Sequence, residues 1–393
     1  MDDIVVLSAV RTPVGAFQGA LSGFPAHALG ARAIAAAVER AGLSPQDVEQ
    51  VNMGCVLPAG QGQAPARQAA LGAGCPVSTG ALTLNKVCGS GMRALMIAAN
   101  DLRCGDFKVV AAGGMESMSQ APYLAQGVRD GLRLGHGKLV DSMIHDGLWD
   151  PYNDLHMGSC AELCAGEFKF SREEQDAFSV ESYRRARAAT ETGLFAEEIV
   201  PVPVPQKKGE PQMVDRDEEP FKADLSRIGS LKPAFQKDGT ITAGNASKIN
   251  DGASALVLTT AGHARSLGLH PIGRVVAQAS FAQKPEWFTT APVTAARRCL
   301  ERAGLAASDV DLWEVNEAFA VVALAFQREL GLDPAKVNPR GGAVALGHPI
   351  GSSGARIVVT LLHALRASGG RYGCAAICIG GGEATSVIVE RLD

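Results

Sequence analysis

Short unbroken apolar runs alternate along the chain with longer stretches in which apolar residues recur every three or four positions. Ile4 to Val10 is one such run, closed by Arg11-Thr12-Pro13, and predicts a strand. Ala26 to Arg40 follows with helical periodicity, and Gly42 is well placed as its C-cap residue. Val51 to Leu57 reads as a buried strand, 92–103 as a helix, and Val109 to Ala112 as a strand again. Strands that alternate with helices imply an α/β fold on a mostly parallel sheet with right-handed crossovers.

The pattern also repeats. Glu39-Arg40-Ala41-Gly42-Leu43 with Asp47-Val48 recurs as Glu301-Arg302-Ala303-Gly304-Leu305 with Asp309-Val310, at an offset of 262. Gly91 and Arg93 match Gly354 and Arg356, each pair opening a helix, and Gly113-Gly114 and Gly380-Gly381-Gly382 each follow a short apolar strand. Coincidence between two similar helix–turn segments would not hold a nearly constant offset across three elements. A duplicated α/β unit is therefore expected, with one copy in 1–119 plus 250–270 and the other in 271–393. The segment 120–249 is expected to be an inserted loop domain over one face of the sheet, where ligand-binding surface commonly sits. Ser171 and Glu174 spell a capping box for its helix. Pro201 to Pro211 is restricted to extended or turn backbone.

Composition narrows the class. The 393 residues are 46% hydrophobic and 20% charged, so the chain buries enough apolar surface to exclude disorder. A formal net charge of −4 leaves no basic footprint for nucleic acid or for an anionic membrane. No run approaches the ~18 apolar residues of a membrane span. Nine cysteines without a C-x-x-C spacing, and an acidic Met1-Asp2-Asp3 opening, set the expectation of free thiols in a reducing cytoplasm. Glycine is abundant, 45 residues, which points to tight turns and close backbone approaches.

Four segments carry chemistry. Cys88-Gly89-Ser90-Gly91 sets a cysteine before glycines and a helix start, where unpaired N–H groups favour a thiolate and donate to an oxyanion. A buried structural thiol and a dinucleotide loop (Gly89-x-Gly91-x-x-Ala94) are the competing readings. His348 lies among glycines at a corresponding junction in the second copy, and Cys–His is the pairing of an activated thiolate. Cys378 precedes Gly380-Gly381-Gly382 and is either a strand residue or a second thiol that moves protons. Glu314-Val315-Asn316-Glu317 is either capping or an amide, Asn316, that holds a water or a substrate oxygen.

Cys88-Gly89-Ser90-Gly91, Asn316-Glu317-Ala318-Phe319, Gly347-His348-Pro349 and Cys378-Ile379-Gly380-Gly381-Gly382 resemble the signature blocks of the thiolase family. Gly244-Asn245-Ala246-Ser247 and His156-Met157-Gly158 extend the likeness over essentially the whole chain, and its biosynthetic branch, the acetyl-CoA acetyltransferases, is the most similar. The resemblance implies a duplicated five-layer αβαβα fold and the reversible condensation of two acetyl-CoA to acetoacetyl-CoA and CoA. It makes Cys88 the acylated nucleophile, His348 its base and Cys378 the group that moves the α-proton. His348 with an Asn316-held water would form one oxyanion site, and the Cys88 and Gly380 N–H groups the other. Ser247, His156, Leu148, Phe235, Ala318 and Phe319 would contact the CoA thioester. No metal or prosthetic group is implied, CoA being a substrate, and segment 121–146 resembles a loop that pairs dimers into a homotetramer.

Three departures accompany the resemblance. Trp287-Phe288-Thr289-Thr290-Ala291-Pro292 stands where relatives carry Met-Gly-x-Gly-Pro, so Phe288 would reshape the acyl pocket. A broader 3-ketoacyl-CoA thiolase, degradative or of β-ketoadipyl-CoA type, shares every block and is the alternative. Pro220 replaces an arginine expected against the CoA nucleotide, leaving Lys222, Arg227 or Lys207-Lys208 to serve. Glu383 and Ala384 follow the last glycine turn, where small residues are frequent.

Overall fold

A computed structural model describes residues 2–393. The first half runs β1 (Ile4–Arg11), α1 (Ala26–Arg40), β2 (Gln50–Gly54), α2 (Pro65–Gly72), β3 (Gly80–Leu84), α3 (Ser90–Cys104) and β4 (Val109–Ser117). Next come α4 (Met157–Phe168) and α5 (Arg172–Glu191), after which β5 (Asn250–Thr260) returns to the sheet. The second half runs β6 (Gly273–Ala282), α6 (Ala291–Ala303), β7 (Leu312–Val315), α7 (Ala320–Leu330), α8 (Ile350–Ser368), β8 (Tyr372–Ile379) and β9 (Glu383–Arg391).

The strand order is β7-β8-β9-β6-β1-β5-β4-β2-β3. Read outward from the centre, β1-β5-β4-β2 mirrors β6-β9-β8-β7, so the repeat seen in the sequence is also a repeat of topology. The halves meet edge to edge where Val5 and Val6 of β1 pair with Arg274 and Gly273 of β6. Only β3 lacks a full counterpart: a single parallel bridge, Trp313 to Val337, stands in its place.

The expectation of a mostly parallel sheet is corrected. Of the eight pairings among these strands, five are antiparallel and three, β2–β3, β2–β4 and β7–β8, are parallel. Two connections cause this. β5 re-enters between β1 and β4 after the long excursion of 118–249, and β8 turns directly into β9 as a hairpin through Gly380–Gly382. Gly381 and Gly382 hold φ of +90° and +82° there, a backbone that residues with a Cβ rarely adopt.

Three cores fill the spaces between layers. α1 and α2 cover the outer face of the first half, with Ile34, Ala37, Ala69 and Met115 fully buried. α6 and α7 cover that of the second, around Trp313 and Phe326, and α4 joins the same core. α3 and α8 lie between the two half-sheets among Leu95, Leu256, Ile357 and Val387. α8 is buried nearly all round, as its apolar sequence demands. The result is the five-layer α/β arrangement. α3 and α8 cross where the repeat placed its matching glycines: a Cβ on Gly91 would lie 2.8 Å from Ala355 N, and one on Gly354 2.6 Å from Met92 N. This close crossing brings the N-termini of the two central helices together.

Candidate active site

Cys88 sits at the turn into α3. Val87 before it is held in the left-handed region, φ +44°, a strained place for a β-branched residue. Asn85 Oδ1 accepts from Val87 N at 2.8 Å, and Ser90 Oγ accepts from Lys86 N at 2.8 Å while donating to Val87 O at 2.6 Å. Lys86 also forms an ion pair with Glu383 beyond the β8–β9 turn, tying the two glycine turns across the halves. Gly89 packs directly on Ile379.

The helix N-terminus alone predicts a stabilised thiolate at Cys88; the structure corrects this. Burial pushes the Cys88 thiol up to about 11, and the N–H of Gly380 and its own N–H pull only part of the way back. The resting thiol is neutral and needs a base. His348, 5% exposed, lines the same cavity. Burial, with the Arg356 guanidinium, pushes its imidazole down to about 3, so the ring is neutral too. Ser353 Oγ lies 2.6 Å from Nδ1 and donates onward to the Pro349 carbonyl at 3.0 Å, which assigns the ring proton to Nδ1. Nε2 then carries the free lone pair and faces Asn316 Nδ2 at 3.5 Å. The backbone of His348 is pinned as well, its N–H donating to Asn250 Oδ1 at 2.9 Å and to Lys248 O at 3.2 Å.

Asn316 directly follows β7, and its buried Oδ1 has no protein partner among the described residues. Cys378 is fully buried at the end of β8, its thiol raised well above the ordinary range by burial and then by the nearby Cys88. Glu116, at the end of β4, accepts from Val56 N (2.9 Å), Leu57 N (3.1 Å) and Gly351 N (2.9 Å). It thereby ties the strand end of one half to the helix start of the other.

A cavity of about 250 Å³ opens in front of these groups. Cys88, His348 and Gly380 form its floor, and Ser247, Leu148, Ala318 and Phe319 are in its walls. His156 stacks on Phe235 with ring centroids 4.7 Å apart, and Phe235 meets Phe319 edge-on at 6.1 Å. His156 is also the N-cap of α4, its Nδ1 accepting from Gly158 N at 3.0 Å. Phe288 is 3% exposed and meets Phe319 at 6.3 Å, narrowing one side. Cys378 and Asn316 lie behind the floor and not in the lining.

Arg227 is not brought to this cavity. It is exposed on the turn Leu225–Ser230, beside Asp224, where Ser230 Oγ donates to its carbonyl. Several neighbours were not anticipated from sequence: Ser353, Glu116, Asn250, and the wall residues Met118, Met157 and Lys248. Ser353 had a signal, a hydroxyl one helical turn beyond the Gly347-His348-Pro349 block. Lys248 had only its position next to Ser247.

The Thiolase, N-terminal domain family model matches residues 4–262, and the Thiolase, C-terminal domain model residues 269–391. The chain is 52% identical over 392 residues to an acetyl-CoA acetyltransferase of Pseudomonas aeruginosa, covering 100% of both chains. It is 51% identical over 392 residues to one of Cupriavidus necator, again covering 100% of both. Among solved structures, a thiolase from Ascaris suum in complex with coenzyme A superposes with a TM-score of 0.95 at 43% identity, covering 99% of this chain and 100% of that one. With a duplicated fold, two thiols and an imidazole at the junction of its halves, and family models matching 4–262 and 269–391, the chain belongs to the thiolase family.

Proposed function

We propose that this enzyme is an acetyl-CoA acetyltransferase, which condenses two acetyl-CoA to acetoacetyl-CoA and CoA and runs the reverse thiolysis. The observation that carries the reading is the convergence of Cys88, the Gly380 N–H and His348 on the floor of one narrow cavity, with Cys378 directly behind.

The proton inventory closes around these four groups. His348 Nε2 takes the Cys88 proton as the sulfur attacks the first thioester, and the Cys88 and Gly380 N–H groups hold the developing oxyanion. The departing CoA thiolate takes the proton of Cys378. Cys378, now a thiolate, removes the α-proton of the second acetyl-CoA. The protonated Nε2 and a water on Asn316 Oδ1 hold the enolate oxygen, each donor worth ~3–4 kcal/mol. The enolate carbon attacks the acetyl thioester on Cys88, the C–S bond breaks, and the Cys88 sulfur recovers its proton from His348. Two neutral thiols and a neutral imidazole begin and end the cycle, in keeping with their burial.

The narrowing by Phe288 favours the two-carbon acyl group over the longer chains of a broad 3-ketoacyl-CoA thiolase. No metal or prosthetic group enters any step; CoA is the substrate carrier. Arg227, Lys222 and Lys207-Lys208 remain the candidates for the CoA nucleotide outside the cavity. Segment 121–146 carries exposed Tyr123, Leu134 and Leu139, which supports its use as a contact between copies in a homotetramer. A cytoplasmic setting suits nine unpaired cysteines, although curated relatives 52% identical include mitochondrial enzymes of Xenopus laevis. An acyl-chain panel with purified protein, assayed in both directions, tests the reading. Highest kcat/KM on acetoacetyl-CoA is expected, and a strong preference for long chains would overturn it.

A further inference from the structure

Lys248 is the one lysine in the wall of the catalytic cavity, between Ser247 and Ile249. Its side chain does not reach for solvent. Nζ turns back to donate to the carbonyl of Ala246 at 2.8 Å and stands 5.9 Å over the ring of Tyr183 on α5. Glu219, in the one-turn helix Glu219–Lys222, adds a favourable charge in the neighbourhood and is itself held by Asn250 Nδ2 at 3.4 Å. The strip 246–248 is fixed to the second half by its backbone. Ala246 bridges Phe319, Ser247 N donates to Ala318 O at 2.9 Å, and Lys248 O accepts from His348 N. Ser247 N and Lys248 O thus face the second half, Ala246 N closes a turn onto Thr242 O at 3.1 Å, and the Lys248 ammonium ties the strip to α5.

We infer that Lys248 is a positioning residue: its ammonium, seated between the Ala246 carbonyl and the Tyr183 ring, holds the 246–248 wall in the shape that receives the CoA thioester. A charge-assisted bond in a low-dielectric site is stronger than a neutral one, and removing it leaves the Ala246 carbonyl without its partner. Burial carries the same mark, pushing the lysine down to about 8 against the pull of Glu219. Because the ammonium touches the wall and not the reacting atoms, its loss acts on binding and not on the chemical step.

The inference rests on the acyl-CoA reading, and the wild-type enzyme is the control for that: no thiolysis by wild type sinks the reading itself. Lys248→Met and Lys248→Gln are compared with wild type in acetoacetyl-CoA thiolysis, with labelled acetyl-enzyme measured at saturating acetyl-CoA. Lys248→Met raises KM about tenfold, with kcat and acetyl-enzyme yield within about twofold of wild type. Lys248→Gln is neutral but keeps a donor for the Ala246 carbonyl, and raises KM by less, about threefold. Wild-type KM in either folded variant, or a loss of kcat with KM unchanged, overturns the inference. If the Met variant does not fold, the Gln variant decides alone.

Discussion

Ser353 Oγ lies 2.6 Å from His348 Nδ1, and this contact decides which face of the imidazole is basic. With the Ser353 proton directed to the Pro349 carbonyl, Nδ1 keeps its hydrogen and Nε2 is left to work. Ser353→Ala leaves a buried N–H unpaired and frees the ring to take the other tautomer. The expected result is a fall in kcat of about 10²-fold with little change in KM, and partial recovery in Ser353→Thr. Unchanged kcat in the alanine variant would show that the ring is held by other means.

The two thiols are separable. Cys88→Ser removes the proposed nucleophile, so labelled acetyl-CoA is expected to leave no label on the protein. Cys378→Ala keeps Cys88, His348 and the Gly380 N–H, so it still acylates, yet has no group to take the α-proton and does not condense. Trapping label on Cys88→Ser at the wild-type level would remove Cys88 from its role.

Burial of a neutral imidazole makes stability depend on pH. The unfolded chain protonates His348 below about 6.5, whereas the folded state holds it neutral down to about 3. Its contribution is therefore complete above pH 6.5 and lost as pH falls toward 3, at ~1.4 kcal/mol per unit. Urea unfolding at pH 7.5 and 5 is expected to show a loss ~2 kcal/mol smaller in His348→Gln than in wild type. Equal losses would mean that the ring is protonated in the folded enzyme.

The crossing of α3 and α8 is the joint on which the site is built. Gly91→Ala places a methyl 2.8 Å from Ala355 N, on backbone that cannot rotate away. A cost of about 2 kcal/mol is expected. Activity should fall further than stability, because the displaced helices carry Cys88 and His348 at their starts. A variant with wild-type melting and turnover would show that the helices separate freely.

Much of this was legible in the chain itself. Gly91 and Gly354 announced the duplication, and the crossing they permit explains why glycine is needed there. Strand direction was not legible: nothing in the residues of β5 says that it enters between β1 and β4, since a covered strand looks alike whichever way it runs. The thiols and the imidazole stood out by their glycine surroundings, but not their protonation, because desolvation comes from residues far apart in sequence. Arg227 lies on an exposed turn outside the cavity, so sequence reading named a basic residue for the nucleotide without saying where on the surface it would stand. Lys248 could not be read at all, since its half-buried place over Tyr183 of α5 is set by residues far from it in sequence.

Phe288 tests what sets the acyl length. It is 3% exposed and meets Phe319 edge-on at the cavity wall. Phe288→Ala removes that wall and opens room for further methylenes, each worth ~1 kcal/mol or more of discrimination. The ratio of kcat/KM for 3-ketohexanoyl-CoA to that for acetoacetyl-CoA is expected to rise about tenfold or more. The lost packing costs about 3 kcal/mol of stability, so the assay is run well below the melting temperature. Because the ratio compares two substrates on one protein, a partly unfolded sample does not change it. An unchanged ratio would place the acyl chain against another wall, and Met157 beside Gly380 would be the next residue to replace.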